Sequence, residues 1–411
     1  MCSTVWEGES VLVLLRVKNW KSYIDRQKKE YTRFRYPKEF GAGIVVVIPC
    51  YNEPGLRATL HGLRACEPPA VSTLVAVIIN SGVLSNNDAV AQNRITYDEV
   101  NLFASRYNES NFSFLPVFFE GLPRKHAGVG LARKIGMDLA VEHFLRNRTE
   151  RGIIISLDAD CLVSSNFLTS IYEAFQQDDR LRVTIHKVRH RVDEPGSELE
   201  KQVRQYEAYL DYYRGMLKEI GFPYYYPTVG SAFAVLADTY VKVGGMGRQQ
   251  GGEDFYFLHK VFEHGKAKEL NDVTVYPLAR YSDRVPLGTG PALQKMMDEA
   301  GNTPTVYSRR SFLELKGLFD LVDAFFRQDR EGVAARLHGL HPALSRYLNE
   351  IDFMRMVDDC NGNSTRLDTF RKRFFHHFNA FRIIKYLNRV HPDPFPREPI
   401  SAVLSHPFPG D

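Results

Sequence analysis

No stretch of this chain approaches the roughly 18 consecutive apolar residues that a membrane-spanning helix needs. The early run Val11–Leu15 is too short, and no basic residues precede it as they would in a signal peptide. Cysteine is scarce: there are five (Cys2, Cys50, Cys66, Cys161 and Cys360), odd in number, scattered, and with no C-x-x-C pair. This excludes a disulfide framework and fits a reducing compartment with free, mostly buried thiols. Neither sign of charge dominates; a net charge of +4 is too small to call for a nucleic-acid partner. No repeat of 20–50 residues is visible. No G-x-G-x-x-G follows a strand pattern, which excludes a dinucleotide-binding dehydrogenase. No Gly-rich, basic loop follows the first strand, as a nucleotidyltransferase acting on a sugar phosphate would need. The expectation is a soluble, cytoplasmic protein.

What is present is ordinary globular material, 44% hydrophobic and 25% charged over 411 residues. That length holds one large domain with an appendage, or two domains. Residues 1–40 form a basic-aromatic helical prelude with Trp20, Tyr23, Tyr31, Phe34 and Tyr36 among lysines and arginines. Two readings stand: peripheral contact with the anionic cytoplasmic face of a membrane, or a helix packed on the main domain with a solvated basic face.

From residue 41 to 290 strand and helix patterns alternate. Ile44–Ile48 is a continuous branched run closed by Pro49, the mark of a strand buried on both faces. Leu74–Ile79 and Ile153–Leu157 read likewise, and Phe112–Phe119 is strand-like. Between them fall helices with aliphatic residues at helical spacing: Leu56, Leu60 and Leu63, then Leu131, Ile135 and Leu139. Leu181, Val183 and Ile185 alternate with Arg182, Thr184 and His186, which predicts a half-exposed strand near an edge. The helix at Glu198–Leu217 has an apolar face of Leu199, Val203, Tyr206, Leu210, Tyr213 and Leu217. Val273–Tyr276 reads as a last short strand. Such alternation gives an α/β domain with a mostly parallel sheet flanked by helices, whose ligands bind outside the carboxyl ends of the strands. Residues 291–390 read as a helical C-terminal region, with Phe370, Phe374, Phe378 and Phe381 along one helix, and 391–411 as a Pro-rich tail.

The chemistry collects at strand ends. Asp158-Ala159-Asp160 follows Ile153–Leu157 directly. At the end of a strand, residues i and i+2 point the same way, so both carboxylates can share one cation. Hard carboxylate oxygens suit Mg²⁺ or Mn²⁺, whose shells are completed by water and phosphate oxygens. A second acidic pair, Glu253-Asp254, follows four glycines and opens a helix. The bland reading is charge complementing the helix dipole; the sharper one is a carboxylate placed to take a proton from a hydroxyl. Two arginines, Arg280 and Arg284, lie in the Gly/Pro loop that follows the last strand. They read equally as solvated loop charges or as a lid over phosphates. His259, one turn beyond the acidic pair, reads as structural.

Val45-Val46-Val47-Ile48-Pro49-Cys50-Tyr51-Asn52-Glu53, Gly130-Leu131-Ala132-Arg133-Lys134-Ile135-Gly136, Leu157-Asp158-Ala159-Asp160 and Gly252-Glu253-Asp254 occur in that order within Gly43–Gly290. Together they resemble the nucleotide-sugar glycosyltransferases of family 2, with the GT-A (Rossmann-like) fold. The resemblance implies that Pro49, Tyr51, Glu53, Asn80, Arg133, Asp158 and Arg284 bind the donor, a UDP- or GDP-linked sugar. It implies that Asp158 and Asp160 hold the metal, Gly252 and Glu253 lie on the acceptor side, and Asp254 is the base of an inverting transfer. The acceptor is a glycan, a lipid-linked sugar or a small molecule. Asn80 departs from the pattern, since many relatives carry an acidic residue there to read the base. The Q-x-x-R-W pattern of processive synthases is absent, favouring single transfer over polymerisation. A retaining transferase, or a non-catalytic nucleotide- or sugar-binding protein on the same fold, remains the alternative.

Overall fold

A computed structural model of the chain describes residues 17–27, 40–125, 127–281, 289–298 and 304–404. Contacts divide it into two units, Met1–Pro195 with Thr228–Gln294, and Gly196–Pro227 with Lys295–Asp411. The stretch 196–227, which lies inside the 41–290 span read from sequence as one domain, therefore groups with the C-terminal residues. Arg284 lies outside the described residues, as do most of the 1–40 prelude and the end of the 391–411 tail.

The first unit is α/β, and its order along the chain is as follows. A helix at 17–27 (α1) precedes β1 (Ile44–Cys50), α2 (Leu56–Arg64), β2 (Thr73–Gly82), α3 (Asn87–Tyr107), β3 (Phe112–Leu122) and α4 (Val129–Asn147). Then come β4 (Ile153–Ser156), β5 (Cys161–Val163), α5 (Phe167–Gln177) and β6 (Leu181–Val188). After α6 (Glu198–Glu219) in the other unit, the chain returns with β7 (Phe233–Leu236), α7 (Ala237–Lys242), α8 (Glu253–His264) and β8 (Lys266–Pro277). These strands form one eight-stranded sheet in the order β3-β2-β1-β4-β7-β6-β8-β5. Four of its pairings are parallel and three antiparallel. The expected α/β class, with a mostly parallel sheet and a helical C-terminal region, is what the structure has.

The branched run of β1 is buried along its whole length between β2 and β4, as a central parallel strand must be. Helix α2 lays Leu56, Leu60 and Leu63 on the sheet. Helix α4 is different: 14 of its 19 residues are buried, among them Arg133, Lys134, Asp138 and His143. A helix enclosed on all sides with four ionisable residues must pair each of them internally. Gly136 lets it sit close on β1, because a Cβ there would lie 2.3 Å from Val47 Cγ1.

Two strand expectations change. β6 is not an edge strand: it lies between β7 and β8, and the sheet ends on β3 and β5. Thr184 and His186, read as outward-facing, are buried and hydrogen-bonded to each other at 3.1 Å; a covered face accepts polar residues that satisfy one another. The short strand at Val273–Tyr276 is the end of a 12-residue one. In α1, Trp20, Tyr23 and Ile24 are buried while Lys18 and Lys21 are exposed. This is the packed arrangement for the described part of the prelude.

The second unit is helical, with a two-residue antiparallel pairing of Thr305–Val306 with Glu398–Pro399. Its core is aromatic: Phe222, Phe312, Phe374 and Phe378 are buried, with Phe319 packed edge-on against Phe374, Phe375 and Phe378. The buried side of α6 consists of Gln202, Val203, Glu207, Tyr212, Met216 and Leu217, so of the six residues expected on its apolar face only Val203 and Leu217 are fully buried. Leu210 is exposed, and the long helix of phenylalanines is two helices, Leu367–His377 and Ala380–Val390, leaving Phe381 exposed. Asn379 makes the break by capping the second helix, accepting from the Arg382 amide at 3.2 Å. His377 is paired with Asp359 at 2.9 Å. Among the described residues no helix is long and apolar enough to cross a membrane. Among the described residues Cys66, Cys161 and Cys360 are free thiols.

Candidate active site

Where the parallel strands end, four carboxylates from three chain segments are drawn together by two arginines. β1 runs out through Cys50 into Tyr51, which is half-buried, and Asn52, whose φ of 48° is left-handed; asparagine tolerates that conformation better than most residues. The turn is held by Asn93, fully buried on α3. Its Oδ1 accepts from the Asn52 amide at 2.8 Å, and its Nδ2 donates to the Asn80 carbonyl at 3.0 Å. One side-chain amide thereby ties the end of β1 to the end of β2. Asn80 is itself buried, and its side chain donates to the Gly128 carbonyl at 3.3 Å, just ahead of α4. Pro49 is buried within β1. Glu53 closes the turn, accepting from the Gly55 amide at 3.0 Å through Oε1.

β4 stops at Ser156, and Asp158, Ala159 and Asp160 lie beyond it in a turn, closed by Cys161 N donating to the Asp158 carbonyl at 3.3 Å. Thr59, buried on α2, donates to the Ala159 carbonyl at 2.8 Å and fixes that turn from behind. The rule that residues i and i+2 share a side applies to extended strand, so it does not govern this pair. The two carboxylates go to different cations. Asp158 Oδ1 accepts from Arg133 Nη2 at 2.7 Å, and Asp160 Oδ2 from Arg280 Nη2 at 2.8 Å.

Arg133 projects from α4 with 3% of its side chain exposed. Its other terminal nitrogen donates to Glu253, equally buried. Burial alone would lower the Arg133 pKa, but Glu253, Asp158 and Asp254 together outweigh it and push it up, so the guanidinium is a permanent charge. Gly230 lies flat against it: a Cβ there would come within 2.9 Å of the guanidinium carbon. The Gly230 carbonyl also accepts from Ser156 Oγ at 2.6 Å, tying this glycine to the end of β4.

Glu253 and Asp254 open α8 after Gly252, whose φ of 73° suits only glycine well. Burial raises the pKa of Asp254, opposed by Arg133. The rise makes its carboxylate more basic, the direction a general base needs. Asp254 Oδ1 accepts from the Phe255 amide at 2.8 Å. The approach to α8 is pinned by Gln250, whose side chain donates to the carbonyls of Arg124 at 2.8 Å and Ala127 at 3.1 Å. Gly130 lets the loop pass, since a Cβ there would lie 2.1 Å from the Gln249 carbonyl oxygen. His259 is half-buried between the rings of Phe255 and Phe262, and its desolvation there brings its pKa down to about 4.

Tyr51, Glu53, Asn80, Arg133, Asp158, Asp160, Gly252, Glu253 and Asp254 thus belong to one end of the sheet. Arg280, read from sequence no more strongly than a loop charge, joins Glu53 to Asp160. Asn93 and Thr59 were not singled out in the sequence, because a polar residue inside an amphipathic helix carries no signal of what it will face. Among the described residues no group of three or more His, Cys, Asp or Glu side chains forms a ready metal cage. The donor set still fits a divalent ion that keeps part of its shell for phosphate and water. Five carboxylates (Glu53, Asp158, Asp160, Glu253, Asp254) stand with two guanidiniums, and Asp158 and Asp160 keep 39% and 20% of their side chains exposed.

No family model matches the chain, and no curated protein matches it. Among solved structures it is similar to S. aureus TarS 1-349 in complex with UDP-GlcNAc, at a TM-score of 0.38 and 14% identity, over 84% of this chain and 90% of that one. The same TarS fragment in complex with UDP gives 0.39 and 13%, over 84% and 89%. GalNAc-T7 with UDP, GalNAc and Mn²⁺ gives 0.36 and 16%, over 64% and 48%. Likeness at this level is distant, and the chemistry of the site rests on its own residues.

Proposed function

We propose that this chain is a metal-dependent glycosyltransferase of the family 2 type, moving one sugar from a nucleotide-sugar donor to an acceptor hydroxyl with inversion. The observation that carries this reading is Arg133, which joins Asp158 to Glu253 and so fixes the turn after β4 against the helix that carries Asp254 in its first turn. Single displacement needs a site that stabilises the leaving group and a base across from it, held at fixed separation.

Tyr51 and Asn80 would face the nucleoside, with Pro49 shaping the turn. Asp158 and Asp160 would hold Mg²⁺ or Mn²⁺, which when bound supplies charge stabilisation to the departing diphosphate. Asp254 would accept the proton of the acceptor hydroxyl, its basicity raised by burial. Glu253 keeps Arg133 in place, and Gly252 leaves room beside the helix start for an acceptor. The machinery is assigned to the parts of 41–290 that lie in the first unit, and acceptor choice among glycan, lipid-linked and small-molecule hydroxyls to the residues around 228–231 and the 245–252 loop. The cytoplasm is the compartment proposed, with peripheral membrane contact through the basic-aromatic prelude as its extension.

The test is a thermal-shift screen of UDP, GDP and their sugar conjugates with and without Mn²⁺ or Mg²⁺. A ligand at a hundred times its Kd stabilises by about 2.7 kcal/mol, several degrees for most domains. One base should stand out, and only with metal. If no nucleotide shifts the transition, the reading is lost. With the donor known, the anomeric proton of the product separates inversion from retention; a retained configuration removes Asp254 as base.

A further inference from the structure

Resting on the transferase reading, we propose that Arg280 is a resident counter-cation that gives way at Asp160 to the divalent ion and moves its guanidinium onto the donor diphosphate. A single nitrogen, Arg280 Nη2, donates both to Glu53 and, at 2.8 Å, to Asp160. The two carboxylates belong to chain segments after β1 and after β4, and Arg280 follows β8. Three elements therefore meet on one guanidinium.

The two arginines of the site are held differently. Arg133 has 3% of its side chain exposed and is locked between Asp158 and Glu253. Arg280 has 29% exposed, and of its two partners Glu53 is buried at 5% while Asp160 is open at 20%. Glu53 is the fixed anchor and Asp160 the open partner. A divalent ion at Asp160 would stand beside the Arg280 guanidinium, and like charges at that separation repel strongly where the dielectric is low. The two cations therefore exclude each other from Asp160 unless an anion separates them. A diphosphate is that anion, and a guanidinium fork matches phosphate oxygens as well as carboxylate ones.

This arrangement has a consequence for binding order. Metal alone must displace Arg280 and so binds weakly, whereas metal with nucleotide gives Arg280 a new partner and binds well. The experiment is calorimetric or EPR titration of Mn²⁺ into the full chain and into Arg280→Gln, first alone and then with UDP or GDP, whichever the wild type accepts. Arg280→Gln should bind Mn²⁺ alone about tenfold tighter, a change of about 1.4 kcal/mol, and the nucleotide with Mn²⁺ about tenfold more weakly. The inference is overturned if a folded Arg280→Gln binds Mn²⁺ no tighter than wild type; if nucleotide binding by wild type is then normal, the transferase reading survives alone. It is equally overturned if neither protein binds Mn²⁺. Should Arg280→Gln not fold, by circular dichroism, Arg280→Lys takes its place. Lysine keeps the charge but not the fork, and about threefold tighter Mn²⁺ binding is expected; unchanged affinity rejects the exchange.

Discussion

The site depends on charges whose partners cannot be removed one at a time. Arg133 is buried between Asp158 and Glu253, and breaking a buried pair from one side strands the other charge at a cost of about 3–5 kcal/mol. Arg133→Met should therefore lower the unfolding free energy, read from urea denaturation, by that order. Adding Glu253→Met should restore much of the loss, because an apolar replacement of the whole pair leaves no unpaired buried charge on that side. A double variant no more stable than the single one would show that Arg133 acts through packing rather than charge. Asp254 differs, because its contribution is to chemistry. Asp254→Asn keeps the shape and removes the base, so nucleotide affinity by calorimetry should hold while turnover falls at least about a hundredfold, the usual worth of a general base. Unchanged turnover would take the proton acceptor elsewhere.

At the scale of elements, α4 governs the site because it is enclosed on all sides. One turn presents Arg133 to the carboxylates, and the adjacent Lys134 reaches Asp138 at 2.7 Å on the face toward α1. Asp138 also accepts from Tyr23 and Tyr240, each at 2.7 Å. Helix α1 is thereby fastened to the same helix that carries Arg133. Tyr23→Phe removes one of three donors to a buried carboxylate and should cost about 1–3 kcal/mol, read as a lower thermal midpoint; no change would mean that α1 is only lightly docked. Gly130 marks the other contact of α4. Gly130→Ala would drive a Cβ into the Gln249 carbonyl, and backbone cannot swing aside as a side chain can. The expected cost is about 1–3 kcal/mol, with faster hydrogen exchange in the loop before α8.

For the first unit as a whole, two buried histidines, His143 and His186, and the half-buried His259 set the acid limit. Burial brings His143 and His259 to about 4 and His186 to about 3, against about 6.5 in an unfolded chain. Between these values the unfolded state binds protons that the folded state refuses. Their contribution is therefore complete above pH 6.5 and is lost as pH falls through about 4, and for His186 through about 3. The melting temperature should decline steadily from pH 6.5 to 4, and His186→Gln should flatten the slope. A flat profile over that range would show the imidazoles to be solvated.

The sequence by itself determined the α/β class, the buried parallel strands and the places where acidic residues follow them. Branched runs as long as Ile44–Ile48 have few other structures open to them, and a strand end is where a polar residue can meet a ligand. It could not determine that β6 lies inside the sheet, because alternating polar residues read as exposed until Thr184 and His186 are seen to satisfy each other. It could not determine that the helix of phenylalanines breaks at Asn379, nor that Asp158 and Asp160 sit in a turn and answer to separate arginines. Only the tertiary structure decided those pairings. Arg133 and Arg280 each meet carboxylates from distant parts of the chain, and a charge in the sequence carries no record of which opposite charge the fold will bring to it.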